Sequence, residues 1–171
     1  MSRNPGAPLL VWSWIGIPAL ACIAATILLA TPLRLWIFTL PEPVLPMVLA
    51  FAWATIRPSL MGPIVLMGLG LFNDLLWGGP FGLWAACLLL AYGVTLAGRS
   101  LMVGQGMEVS WAWYAIVCLI AIIAAWALMA LVSGAPANLV SVFWQFLATA
   151  ALYPFADHLT DRFADADVRF R

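Results

Sequence analysis

The stretch GLGLFNDLLWGGPFGLW, Gly68 to Trp84, carries an amide and a carboxylate, Asn73 and Asp74, in an otherwise apolar run. Gly78-Gly79-Pro80 follows within one helical turn. An apolar helix broken at Gly-Gly-Pro and restarting at Phe81 is a helical hairpin. The carboxylate sits just before its turn. A helix start leaves backbone N–H groups without intrahelical partners, and an acid one turn before the break is within reach of them. It would also face the positive end of the next helix's dipole. The spacing therefore predicts a cap-and-turn role for Asp74. Contact with a partner protein, or an ion or proton role, are the alternatives for a carboxylate held in an apolar segment.

Working outward, the rest of the chain is as apolar as this segment. Its 171 residues are 65% hydrophobic and 8% charged, with mean hydropathy +1.06. A soluble domain carries about 25% charged residues, so this chain lacks the polar groups to cover a water-facing surface. Bilayer is the natural solvent. Basic and acidic residues balance at seven each, and every basic one is Arg. No basic patch or charged face exists to neutralise phosphates, so nothing in the sequence suggests nucleic-acid binding. Cys22, Cys87 and Cys118 lie singly in apolar runs and read as small buried hydrophobes rather than metal ligands or disulfides.

Apolar runs of about 20 residues cross the hydrocarbon as helices. Six spans are predicted, at about 10–30, 43–56, 60–77, 81–103, 111–132 and 139–156. The first run is longer than a signal peptide's apolar core of about 7–15 residues, so it is read as a retained anchor. TPLRLWIFTLPEP separates it from the second span, which is short for a crossing. Residues 157–171 form a polar tail. Six spans with the N-terminus inside place Arg3, Arg57, Arg99, Arg162, Arg169 and Arg171 on the cytoplasmic side and only Arg34 opposite. That asymmetry predicts both termini in the cytoplasm. Loops are too short to form a core of their own.

Other features concern helix packing. Gly68 and Gly70 open a groove on the third span. Gly93/Ala97, Ala121/Ala125 and Ala21/Ala25 are small pairs at i, i+4 that let helices approach closely. Most of these are expected to serve packing within the bundle. Ser141, Gln145 and Thr149 recur every four residues on one face of the sixth span, as a stripe for a ligand, a partner helix or internal bonds. An intramembrane hydrolase needs a nucleophile with a base, or converging metal ligands. The single histidine, His158, lies in the tail near Asp157 and Asp161, where a solvated helix surface explains all three. No enzyme, cofactor or metal is expected.

The order Gly70-x-x-x-Asp74-Leu75-x-x-Gly78-x-Pro80-x-Gly82 resembles the core motif of the MreD family, the rod shape-determining membrane proteins of bacteria. LPEPVLPMVLAFAWATIRP, 40–58, is similar to the preceding helix of that family. VFWQFLATAALYPFADHLTDR, 142–162, is similar to its closing helix, with Tyr153-Pro154 near the end. The resemblance covers nearly the whole chain; Asn73 and the acidic tail depart from it. It implies an all-α polytopic membrane protein, a six-helix bundle similar to the substrate-binding subunits of energy-coupling-factor transporters. It further implies a non-enzymatic scaffold of the elongation machinery that binds the membrane helix of MreC. MreC would join it to MreB, to RodA and to RodA's transpeptidase partner. The alternative is a small-molecule-binding subunit of a membrane transporter, with Thr26, Asn73, Asp74, Thr95, Ser141, Gln145 and Thr149 as its polar lining.

Overall fold

The computed structural model describes residues 15–30, 43–56, 59–102, 106–134 and 138–158. These form six α-helices, α1 (Ile17–Ala30), α2 (Pro46–Ile56), α3 (Met61–Trp77), α4 (Leu83–Met102), α5 (Met107–Ser133) and α6 (Leu139–Ala150). Among the described residues there is no strand. Three stretches, Leu83–Met102, Met107–Ser133 and Leu139–His158, are long and apolar enough to cross a membrane. Many large apolar side chains face outward, Leu60 at 86% exposure and Leu131 at 81% among them. Water would penalise such a surface, and lipid would not. The fold is that of a helical membrane protein.

Packing is organised around α4, whose most extensive contacts are with α3, α5 and α2. The most enclosed helix is α2, in which every residue from Pro46 to Ala54 is buried. It has 11 residues, so it is about 16 Å long, roughly half the hydrocarbon thickness. The expected second span, 43–56, starts three residues too early. Pro46 takes the first helical position, where its missing N–H costs nothing and its fixed φ suits the helix. The backbone before it is arranged by turn bonds, Leu45 N donating to Pro43 O at 3.0 Å and Met47 N to Val44 O at 3.1 Å. Val44 N donates to Thr149 Oγ1 at 3.2 Å, and Thr149 lies about 15 Å along α6 from Leu139. The start of α2 is therefore docked within the bundle rather than at its rim. Its last carbonyl, Ile56 O, accepts from Arg99 Nη2 at 3.3 Å, a cation at the negative end of a helix.

Other boundaries shift for local reasons. Helix α5 begins at Met107, four residues before the expected 111–132 span, with Gly106 at its N-cap in extended conformation. Helix α4 occupies 83–102 within the expected 81–103, because the backbone at 78–82 belongs to the turn. The sixth span, expected as one run over 139–156, stops at Ala150, turns at 151–152 and resumes over 153–158. Pro154 has no N–H to give the preceding turn, and the bonds there shorten to Leu152 N→Thr149 O and Phe155 N→Leu152 O. The expected connection around Trp36 and Phe38, Arg3, Arg34 and Arg57, and the tail beyond His158 all lie outside the described residues.

Candidate functional site

The centre of the 68–84 segment is the Asp74 side chain, 1% exposed. Its Oδ2 accepts from Gly82 N at 2.8 Å, and its Oδ1 accepts from Trp84 N at 2.9 Å. Its main-chain carbonyl accepts from Gly78 N and from Gly79 N, the latter at 3.2 Å. One residue thus binds four amides, two closing α3 and two at the start of α4. Charge-assisted bonds of this length are roughly twice as strong as neutral ones, and here they run between two helices.

The glycines around it do different work. Gly78 has φ +65° and Gly82 φ +91°, left-handed values that suit glycine, and neither would meet a neighbouring atom with an added Cβ. They shape the turn through backbone conformation alone. Gly70 is the reverse case. A Cβ there would lie 2.3 Å from Ala85 Cα and 2.4 Å from Ala85 N, so α3 and α4 touch backbone to backbone. Pro80 lies between the two left-handed glycines, and its carbonyl accepts from Leu83 N at 3.2 Å. Trp77 and Trp84 close the hairpin flank edge to face, ring centroids 5.3 Å apart. The motif residues Gly70, Asp74, Gly78, Pro80 and Gly82 therefore meet in one hairpin.

The sixth-span stripe is not uniform. Ser141 is exposed, Gln145 half-buried and Thr149 fully buried. Thr149 is a junction: its hydroxyl donates to Gln145 O at 2.7 Å and accepts from Val44 N, while its carbonyl accepts from Tyr114 Oη at 3.1 Å. It ties α2, α5 and α6 together. Tyr153 is buried against Tyr114, centroids 5.8 Å apart. Its hydroxyl lies 3.1 Å from Asp157 Oδ1 and 3.3 Å from Met107 O. Pro154 is exposed. Of the other candidate lining residues, Thr26 and Thr95 donate to carbonyls of their own helices, Cys22 O and Ala91 O, each at 2.8 Å. They leave no free proton for a ligand.

Two features escaped the sequence. Gly93 and Ala97, one of the small pairs most of which were expected to pack within the bundle, are both exposed, and a Cβ on Gly93 would meet nothing within 4 Å. With Ala86, Leu90 and Ser100 they form the outward face of α4. Ala21 is likewise exposed, whereas Ala121 and Ala125 are buried as expected. Spacing identifies a small pair but not the direction it faces. The second feature is Asn73. It is 0% exposed, and neither Oδ1 nor Nδ2 has a hydrogen-bond partner among the described residues. No family model, no curated protein and no solved structure matches this chain.

Proposed function

We propose that this protein is a non-enzymatic scaffold of the bacterial inner membrane, of the kind its resemblance to the MreD family implies. In this reading it spans the membrane six times with both termini in the cytoplasm, as a bundle like the energy-coupling-factor substrate-binding subunits. It binds the membrane helix of MreC and through it MreB, RodA and RodA's transpeptidase partner, in the service of cell-wall elongation and cell shape.

The observation that carries the reading is the outward face of α4. Lipid gives little drive for one apolar helix to join another, so association depends on close backbone approach and a few polar bonds. The helix with the most extensive contacts inside the bundle presents Gly93 and Ala97 to the outside, where a single foreign helix can come close. Two further facts support a binding rather than a chemical role. Both oxygens of Asp74 accept backbone amides, a structural use of the carboxylate. The start of α2, a short helix beginning inside the bundle, resembles the broken helices whose free amides hold substrates in transporters. Its first amides, however, are taken by Pro43 O, Val44 O, Leu45 O and the Thr149 hydroxyl.

The test is disulfide cross-linking in native membranes between single cysteines on α4 and a cysteine series along the MreC membrane helix, in an otherwise cysteine-free background. Cysteines at Leu90, Gly93 and Ala97 should cross-link with a helical period, and one at buried Leu88 should not. Gly93→Ile should reduce recovery of MreC at least tenfold while leaving the melting temperature unchanged. Full recovery of MreC with Gly93→Ile, and no cross-link from α4, would remove α4 as the contact face.

A further inference from the structure

The bundle satisfies its buried polar groups with one conspicuous exception. Thr26, Thr95 and Thr149 bond to carbonyls one turn back, and Asp74 accepts two amides. Tyr114 and Tyr153 also reach oxygen partners. Among the described residues, buried side-chain polar atoms without a partner occur only on Asn73, at both Oδ1 and Nδ2, and at Arg99 Nε. Arg99 keeps another bond, to Ile56 O. Asn73 has none, at zero exposure.

A carboxamide offers two donors and an acceptor with two lone pairs. Leaving both ends unmet in a dry interior is among the costlier arrangements a protein can hold. The local surroundings offer no relief. Asp74 accepts from Gly82 and Trp84 and makes no bond to Asn73. Gly62, Gly70 and Asp74, which meet α4, repeat every four or eight positions, and Trp77 meets Trp84 farther along. Asn73 is one residue off that line, about 100° around the helix. It belongs to the buried side of a helix that packs also on α2 and α1. A partner helix docking from outside cannot reach it, because the isolated chain already covers it completely.

We propose that Asn73 is the polar wall of an internal binding site in the hairpin end of the bundle. Its ligand is a small neutral molecule that presents a hydrogen-bond donor and an acceptor together. Water is the smallest member of that class, and a primary amide or a protonated carboxyl group matches the carboxamide edge in two parallel bonds. The site is independent of the scaffold reading, since it faces the interior and the MreC contact would lie outside.

The chain has three asparagines, Asn4, Asn73 and Asn138, so asparagine-selective 15N labelling gives few side-chain signals. Asn4→Asp and Asn138→Asp variants assign them by elimination without touching the site. Water-edited solid-state NMR on the full chain in phosphatidylethanolamine–phosphatidylglycerol vesicles then reads the partner of the Asn73 amide. Fast magnetisation transfer from water identifies bound water. Contacts to protons that remain when the protein is deuterated, with a matching molecule recovered by organic extraction and mass spectrometry, identify an organic ligand. Either result supports the site. An Asn73 amide in contact with protein atoms alone overturns it. Asn73→Leu provides a second reading: loss of a ligand that binds only the folded state lowers the melting temperature, by several degrees. An unchanged or raised value overturns the proposal, because the leucine would then have cured an unmet amide.

Discussion

The α3–α4 and α5–α6 hairpins are built from similar parts and behave differently. Each first helix ends on a left-handed glycine, Gly78 at φ +65° and Gly134 at φ +66°, whose N–H returns to the carbonyl four residues back. Each second helix has a polar side chain bonded to an amide of its first turn or its approach. In α5–α6 this is Asn138, which accepts from Val140 N two residues on, in an exposed position. In α3–α4 it is Asp74, which belongs to the preceding helix and reaches forward eight and ten residues. The first arrangement caps one helix; the second fastens two. Burial follows the difference. Gly70 and Ala85 meet backbone to backbone below the Asp74 clasp, whereas no described residue from Trp126 to Ala148 is buried. A local cap fixes where a helix begins, and only a bond across the turn fixes where it lies.

This contrast can be broken most severely at Gly70. Gly70→Val drives a side chain into the Ala85 backbone, which cannot yield, so the helices must part and most of the protein should be lost from detergent extracts as aggregate. Fluorescence-detected size exclusion reads that loss. Asp74→Ala comes next, since it strands two amides and should cost about 2–5 kcal/mol of stability. Asp74→Asn should recover only part of it, because a carboxamide accepts at one atom alone. Gly82→Ala isolates the turn itself and should cost about 1–2 kcal/mol, the penalty for a side chain in left-handed backbone. At the small end, Asn138→Ala removes an exposed cap worth about 0.5–1 kcal/mol. Melting of the four variants under one detergent condition ranks them. If Asn138→Ala proved as damaging as Asp74→Ala, the distinction between capping and fastening would fail.

The legible parts of the molecule are those in which a residue's chemistry names its own partner. A carboxylate one turn before Gly-Gly-Pro had the next helix's amides as its nearest partners, and the structure shows Asp74 bonded to two of them. That Gly78 and Gly82 both take positive φ is a detail the structure supplies. The short α2 was harder, because an apolar run reports hydrophobicity and not whether lipid or protein surrounds it; every residue of Pro46–Ala54 is buried within the protein. The orientation of Gly93 and Ala97 was illegible for a related reason. Residues at i and i+4 share a face, but the sequence does not say which face meets the bundle. Thr149 was legible as part of a polar stripe, yet its bond to Val44 joins positions 105 residues apart. For Asn73 the sequence supplied the group and no indication of its solitude.

Helix α2 has a consequence for biogenesis. At about 16 Å it is too short to be held across a bilayer by its own greasiness; it is held by burial against other helices, and its ends are tied by Arg99 and by Thr149. Thr149 is made well after it, 105 residues beyond Val44. The second segment should therefore emerge from the ribosome without a stable berth and settle only after the sixth has been inserted. A version truncated before residue 139 should leave that segment open to protease or to modification of a cysteine placed in it.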